Sequence, residues 1–250
     1  MSAVKTLSAV MWVTGTLFVQ GSVWGGDAPE KPDASEKNRG LILCLKLDEG
    51  KGAVAHDSSG LNHHARINGA KWVDGKPALE FNGDESHMVI TNFAGLPTEA
   101  ITISVWQKVR EARAQHLFNL SPDDSGDRIS AHTPWEDNQV YFDFGIADYD
   151  GDGRVNYTPP KPIAGTWLHF VFVASTAGKC SRIYRNGVME VSAPNAPEYS
   201  GATKDLYIGA GSDALNAYAG LIGEFRMYNR VLTDEEIKAL YQDKAGYYKE

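Results

Sequence analysis

Gly220-Leu221-Ile222-Gly223-Glu224-Phe225-Arg226-Met227-Tyr228 is a strand, and Asn229-Arg230-Val231-Leu232-Thr233-Asp234-Glu235-Glu236-Ile237 leads from it into a helix. Thr233 can cap that helix, and Glu236, three residues on, completes a capping box. Ile237, Leu240 and Tyr241 give it an apolar stripe at helical spacing. It is the one helix the chain predicts.

Upstream, apolar residues recur with period two. Ile101, Ile103, Val105, Gln107 and Val109 fall on one face of a strand, and Thr102, Ser104, Trp106 and Lys108 on the other. Leu41–Leu47, His87–Thr91, Gln139–Phe144, Trp167–Val173 and Asp205–Gly209 follow the same logic. Arg182–Val191 is a hairpin, because Asn186-Gly187 supplies the two positive-φ residues of a type I′ turn. Gly, Pro, Asn and Asp clusters separate these runs. Many short strands without interleaved helices point to an all-β sandwich or barrel. There is no internal repeat and no second domain.

The ends have another character. Before Asp27 the only charge is Lys5, and Thr6 to Val23 is apolar or small. Val23-Trp24-Gly25 places small residues around a cleavage point after Gly25, so residues 1–25 are expected to be a signal peptide. The alternative is an uncleaved anchor, for which the apolar run is short. Residues 26–39 carry Pro29, Pro32 and charges of both signs without an apolar pattern, the composition of a flexible tether. The folded domain is expected over 40–243, with 244–250 as a tail. A secreted, periplasmic or cell-surface location follows.

The 250 residues are 42% hydrophobic with a net charge of −8. That balance excludes nucleic acid and anionic membrane surfaces as partners, since both require basic patches. Two cysteines, Cys44 and Cys180, cannot build a disulfide scaffold. They form one bridge or remain two thiols.

Several stretches resemble the bacterial laminin G-like domains of the concanavalin A-like class. Gly220 to Ile237 is similar to their last strand and short helix. Asp57-Ser58-Ser59-Gly60-Leu61-Asn62 resembles a family turn, and Ala78-Leu79-Glu80-Phe81-Asn82-Gly83 a family strand. Thr102-Ile103-Ser104-Val105-Trp106 and Thr166-Trp167-Leu168-His169 match in the same order. The resemblance implies a two-sheet antiparallel jelly-roll sandwich with one short C-terminal helix. It leaves function open, because this fold hosts lectins, adhesion modules, glycosidases and lyases. Trp72, Trp106 and Trp167 are expected in the core. Asp57 is expected to organise its turn, and Glu224 and Arg226 to form a cross-strand ion pair.

No catalytic pattern emerges. Glycosidases of this fold need carboxylates on one strand face. Glu136 and Asp137 are adjacent and would point to opposite faces. Tyr141-Phe142-Asp143-Phe144-Gly145 resembles a stretch of lyases of this fold, whose Gln-x-His and arginine-bearing motifs are missing here. No nucleophile elbow, zinc helix or phosphate loop is present.

Two stretches carry binding chemistry. Asp148-Tyr149-Asp150-Gly151-Asp152-Gly153-Arg154-Val155-Asn156 opens like a calcium loop. Asp148, Asp150 and Asp152, joined by Asn156, could converge on one hard cation. Pro159 stands where an EF-hand would need glutamate, so the motif is either a half-site for calcium or an acidic hairpin loop. His132-Thr133-Pro134-Trp135-Glu136-Asp137-Asn138 is the second stretch. A loop tryptophan can stack on a pyranose face while His132 and Asp137 bond hydroxyls. In related domains a similar stretch recurs, which leaves packing as the other reading of Trp135. The leading expectation is an exported, non-catalytic lectin-like module recognising carbohydrate with calcium assistance. Runners-up are a protein-interaction domain at the cell surface and a glycan-active enzyme with an unfamiliar site.

Overall fold

The computed structural model describes residues 38–120, 127–146, 153–194, 196–200 and 204–249. The expected signal peptide and most of the tether lie outside the described residues.

The strands, in chain order, begin with β1 (Leu41–Leu45), β2 (Val54–Ala55), β3 (Ala65–Asn68), β4 (Lys71–Trp72), β5 (Leu79–Asn82) and β6 (His87–Phe93). Next come β7 (Ala100–Val109), β8 (Phe118–Leu120), β9 (Asp127–His132), β10 (Val140–Ile146) and β11 (Arg154–Tyr157). The last five are β12 (Leu168–Ser175), β13 (Cys180–Arg185), β14 (Val188–Ala193), β15 (Lys204–Ile208) and β16 (Ala219–Tyr228), and helix α1 spans Asp234–Lys244. Sheet 1 runs β14-β13-β12-β7-β16-β5-β4, with β1 also paired to β16. Sheet 2 runs β11-β10-β9-β8-β15-β6-β3-β2. All pairings are antiparallel. This is the jelly-roll sandwich the sequence implies, and β1 lies beside β16 as first and last strands.

Period two explains the core. Ile101, Ile103 and Val105 from β7, Phe170 and Phe172 from β12, and Phe225 and Met227 from β16 face the interior. They meet Phe118, Phe142, Phe144, Leu206 and Ile208 from sheet 2. Each such side chain contributes about 1.5–3 kcal/mol by leaving water. Gln107 shares this face, and the Tyr218 hydroxyl donates to its Oε1. Asn186 and Gly187 turn the β13–β14 hairpin with φ of 52° and 79°.

The alternate residues of sheet 1 are buried too. In α1, the Thr233 hydroxyl accepts from the Glu236 amide and the Glu236 carboxylate from the Thr233 amide. Leu232, Ile237 and Leu240 pack on Val171, Val173, Tyr184 and Tyr228. The segment expected as a tail, 244–250, carries Tyr248 into this layer. Its ring lies 4.6 Å from Trp106 and 4.7 Å from Trp167. Its hydroxyl accepts from the Glu224 amide and donates to the Pro77 carbonyl. A Cβ on Gly223 would sit 2.5 Å from that hydroxyl, so only glycine fits there.

Trp106 and Trp167 are therefore buried outside sheet 1, not between the sheets, and Trp72 is half-buried. Glu224 and Arg226 do form an ion pair, at 2.8 and 3.0 Å, but along one strand. Residues two apart share a face, so no neighbouring strand is required. Asp57 organises its turn by accepting from the amides of Cys44, Ser59 and His63 and from the Ser59 hydroxyl. Burial raises its carboxyl and these bonds outweigh that, leaving it below its ordinary range. Cys44 and Cys180 are free thiols.

Candidate functional site

The outer face of sheet 2 carries a polar pocket. Ile129 and Ala131 of β9 point inward, which turns Arg128, Ser130 and His132 outward. On β10, Phe142 and Phe144 go to the core and Tyr141 and Asp143 to the outside. On β11, Val155 faces in and Arg154 out. Antiparallel register sets these side chains opposite one another, with Tyr141 facing His132, Asp143 facing both Ser130 and Arg154, and Asn119 of β8 facing Ser130. Cross-strand neighbours at this spacing interact directly.

Asp143 lies beneath the pocket lining, held by Arg128, Ser130 and Arg154. It is fully buried and accepts from Arg154 Nε at 2.6 Å and Nη2 at 2.8 Å. Arg128 Nε lies 3.5 Å from its Oδ2, and the Ser130 hydroxyl donates to the same oxygen at 3.4 Å. A buried carboxylate is tolerated because charge-assisted donors replace its water. The Arg154 guanidinium also lies 5.0 Å above the Tyr141 ring.

One wall is aromatic. The His132 ring lies 4.6 Å from Trp135 and 4.4 Å from His116. Burial holds the His116 imidazole well below its ordinary value, with the charges of His132 and Arg128 adding to the effect. Burial also lowers His132, against the pull of Asp143. The Trp135 turn closes through its amide to the Gln139 carbonyl. Asp137 accepts from the Gln139 amide, the Gln139 side chain and the Tyr141 hydroxyl. Burial, then the Asp137 carboxylate, pushes the Tyr141 hydroxyl up to about 12.

The opposite rim is the 211–216 turn. Asn119 Nδ2 donates to the Ser212 hydroxyl, and the His116 amide to the Asn216 carbonyl. The whole pocket holds 790 Å³, with exposed Leu215 at its edge. A second hollow of 620 Å³, beside Glu99, Lys179 and Pro197, has no aromatic wall.

The three residues predicted to contact ligand, His132, Trp135 and Asp137, thus line one pocket. Sequence reasoning missed His116, Asn119, Arg128 and Arg154 as its members, and Asp143 beneath them. The alternation Arg128-Ile129-Ser130-Ala131-His132 was a usable signal. Of the residues predicted to hold calcium, Asp148, Asp150 and Asp152 lie outside the described residues. Asn156 is exposed on β11, and its amide donates to Gln139 Oε1. No group of three His, Cys, Asp or Glu side chains among the described residues is arranged to hold a metal.

A family model described as the concanavalin A-like lectin/glucanases superfamily, Laminin_G_3, matches residues 82–238. The chain belongs to this superfamily. Its members include both binding modules and glycosidases, so membership alone does not assign this concanavalin A-like domain a reaction. Domain 4 of AbnA, a GH43 extracellular arabinanase from Geobacillus stearothermophilus solved with arabinotriose, is similar in structure. It is 22% identical with a TM-score of 0.63, over 81% of this chain and 98% of that one. The botulinum neurotoxin serotype D binding domain is 14% identical with a TM-score of 0.66, over 83% and 52%. The botulinum neurotoxin DC binding domain, solved with rat synaptotagmin II, is 16% identical with a TM-score of 0.64, over 82% and 52%. The chain spans about half the length of these toxin domains. At such identities the likeness establishes the fold. No curated protein matches the chain.

Proposed function

We propose that this protein is a non-catalytic, lectin-like module that binds carbohydrate in the pocket on the outer face of sheet 2. The observation that carries the reading is Trp135, half-buried on the pocket wall beside His132 with Asp137 at the rim. An aromatic ring next to convergent polar groups suits a sugar, whose faces are apolar and whose edges are hydroxylated. Of the three carboxylates around the pocket, Asp143 is committed to arginines and Asp137 to Tyr141 and Gln139, which leaves Asp213 on the rim without a second free carboxyl group. That supports binding over hydrolysis, which needs a free pair of carboxyl groups. The likeness to an arabinotriose-bound domain points the same way.

A glycan array tests the reading. Wild type should label a subset of glycans, and Trp135→Ala should weaken that labelling by about tenfold or more. Equal labelling by both proteins would remove Trp135 from the site.

The module acts outside the cytoplasm, as residues 1–25 predict, and calcium on Asp148, Asp150 and Asp152 assists it. Millimolar calcium should then raise the thermal midpoint by about 3 °C, and EDTA should reverse the rise. A melt indifferent to both would dismiss the cation.

A further inference from the structure

We propose that the pocket selects a neutral saccharide by seating one of its hydroxyl groups between the imidazoles of His116 and His132. This rests on the carbohydrate reading above and narrows it to a ligand class.

The tautomer of His132 is set by its surroundings. Its Nδ1 lies 3.0 Å from the Gln115 carbonyl oxygen, which can only accept. The ring proton therefore sits on Nδ1, and Nε2 is left as an acceptor. Asp143 Oδ2, 3.9 Å from Nε2, is beyond hydrogen-bond reach. His116 has the opposite asymmetry. Its Nδ1 is buried without a partner among the described residues. A proton is better placed on the nitrogen that ligand or water can reach, because an orphaned buried N–H costs about 1–3 kcal/mol. His116 then presents Nε2–H as a donor. The ring centroids lie 4.4 Å apart, so the rings touch each other, and both line the pocket; the hydroxyl would span their Nε2 edges from the pocket side.

A hydroxyl both accepts and donates, and it satisfies the pair. A carboxylate or sulfate has no proton for His132 Nε2. An ammonium has no lone pair for His116. The charges nearby also favour neutrality: Arg128 and Arg154 stand against Asp143, Asp137 and Asp213 around the pocket. Trp135, against His132, offers the face on which the sugar ring can lie.

Acid should undo the arrangement. Protonating His132 turns Nε2 into a second donor and adds a cation beside Arg128 and Arg154. Burial keeps both imidazoles neutral at and below their ordinary value. Affinity should therefore be flat from pH 7.5 to about 6.5 and fall only below it.

The test is calorimetric titration at pH 7.5, 6.5 and 5.0 with neutral arabino-, xylo-, gluco- and mannotrioses and with galacturonate and glucuronate oligomers. Circular dichroism at each pH confirms the folded state. At least one neutral triose should bind, its anionic counterparts about tenfold more weakly or not at all, and its affinity should be lower at pH 5.0 than at pH 6.5. His116→Phe should lose about tenfold at pH 7.5 and keep the acid step, which belongs to His132. Should that variant not fold, ring-nitrogen NMR of the wild type serves instead, with a bound triose shifting Nε2 of both histidines. Tighter binding of the uronates, undiminished affinity at pH 5.0, or unmoved Nε2 signals would overturn the inference and leave the carbohydrate reading standing. No binding of any sugar at any pH would overturn both.

Discussion

The outer faces of the two sheets carry the same kinds of residue and meet different fates. On sheet 1, Thr102, Ser104, Trp106, His169, Glu224 and Arg226 project away from the core, yet all are buried. Helix α1 and Tyr248 cover them, and polar groups find partners under the cover, although His169 Nδ1 is buried without one among the described residues. The Thr102 hydroxyl donates to the Arg230 carbonyl, and Ser104 bonds His169 at 2.8 Å. On sheet 2, Asn119, Arg128, Ser130, His132, Tyr141 and Arg154 project in the same way and open onto a pocket. The two faces differ in what the chain lays over them. A covered face spends its polar residues on holding the cover, whereas an open one keeps some available for a ligand.

Histidine shows the contrast most directly. His169 is sealed, and burial lowers it to about 3. His132 lines the pocket with one nitrogen bonded to Gln115 and the other accessible for hydrogen bonding.

The largest expected effect comes from stripping the covered face. Tyr248→Ala removes the ring that Trp106 and Trp167 pack on, along with two hydrogen bonds. We expect a loss of about 3–5 kcal/mol in chemical denaturation, with glycan binding unchanged in the protein that stays folded. Loss of binding at full occupancy of the fold would mean the faces are coupled.

Next is acid. Unfolded, His169 protonates near its ordinary value of about 6.5; folded, it does so only near about 3. Its contribution is complete above pH 6.5 and is lost as pH falls toward 3. Between pH 7 and pH 4 this group alone should cost about 3 kcal/mol. His169→Gln should flatten that part of the stability–pH curve, and an unchanged slope would contradict the assignment. The smallest stability effect belongs to the open face. Trp135→Ala, whose effect should fall on binding, should change stability by less than about 1 kcal/mol.

Much of the fold was legible from residue order. Period two marked β7, β10, β12 and β16, Asn186-Gly187 marked its hairpin, and Thr233 with Glu236 marked the start of α1. Strands β8 and β11 escaped, because three or four residues carry little periodic signal, and β9 was passed over although its alternation is legible. With them went Arg128 and Arg154, whose roles exist only across the ladder from Asp143. Trp135, His132 and Asp137 were visible because they are local to one loop. His116 and the 211–216 turn are far from that loop in sequence, so no spacing rule could join them to it.

By itself the sequence determined the alternation, the turns and the helix cap, since each depends on residues within a few positions. It therefore determined that an all-β body would form and which side chains would leave the core, while the two-sheet arrangement followed only from the family resemblance. Only the tertiary structure decided which outer face would close. That depended on where α1 and Tyr248 came to rest, a long-range contact with no local signature. The Gly220–Ile237 stretch shows the division: its strand and capping box are written in order, while the burial of Glu224 and Arg226 beneath the chain's last residues is settled by packing alone.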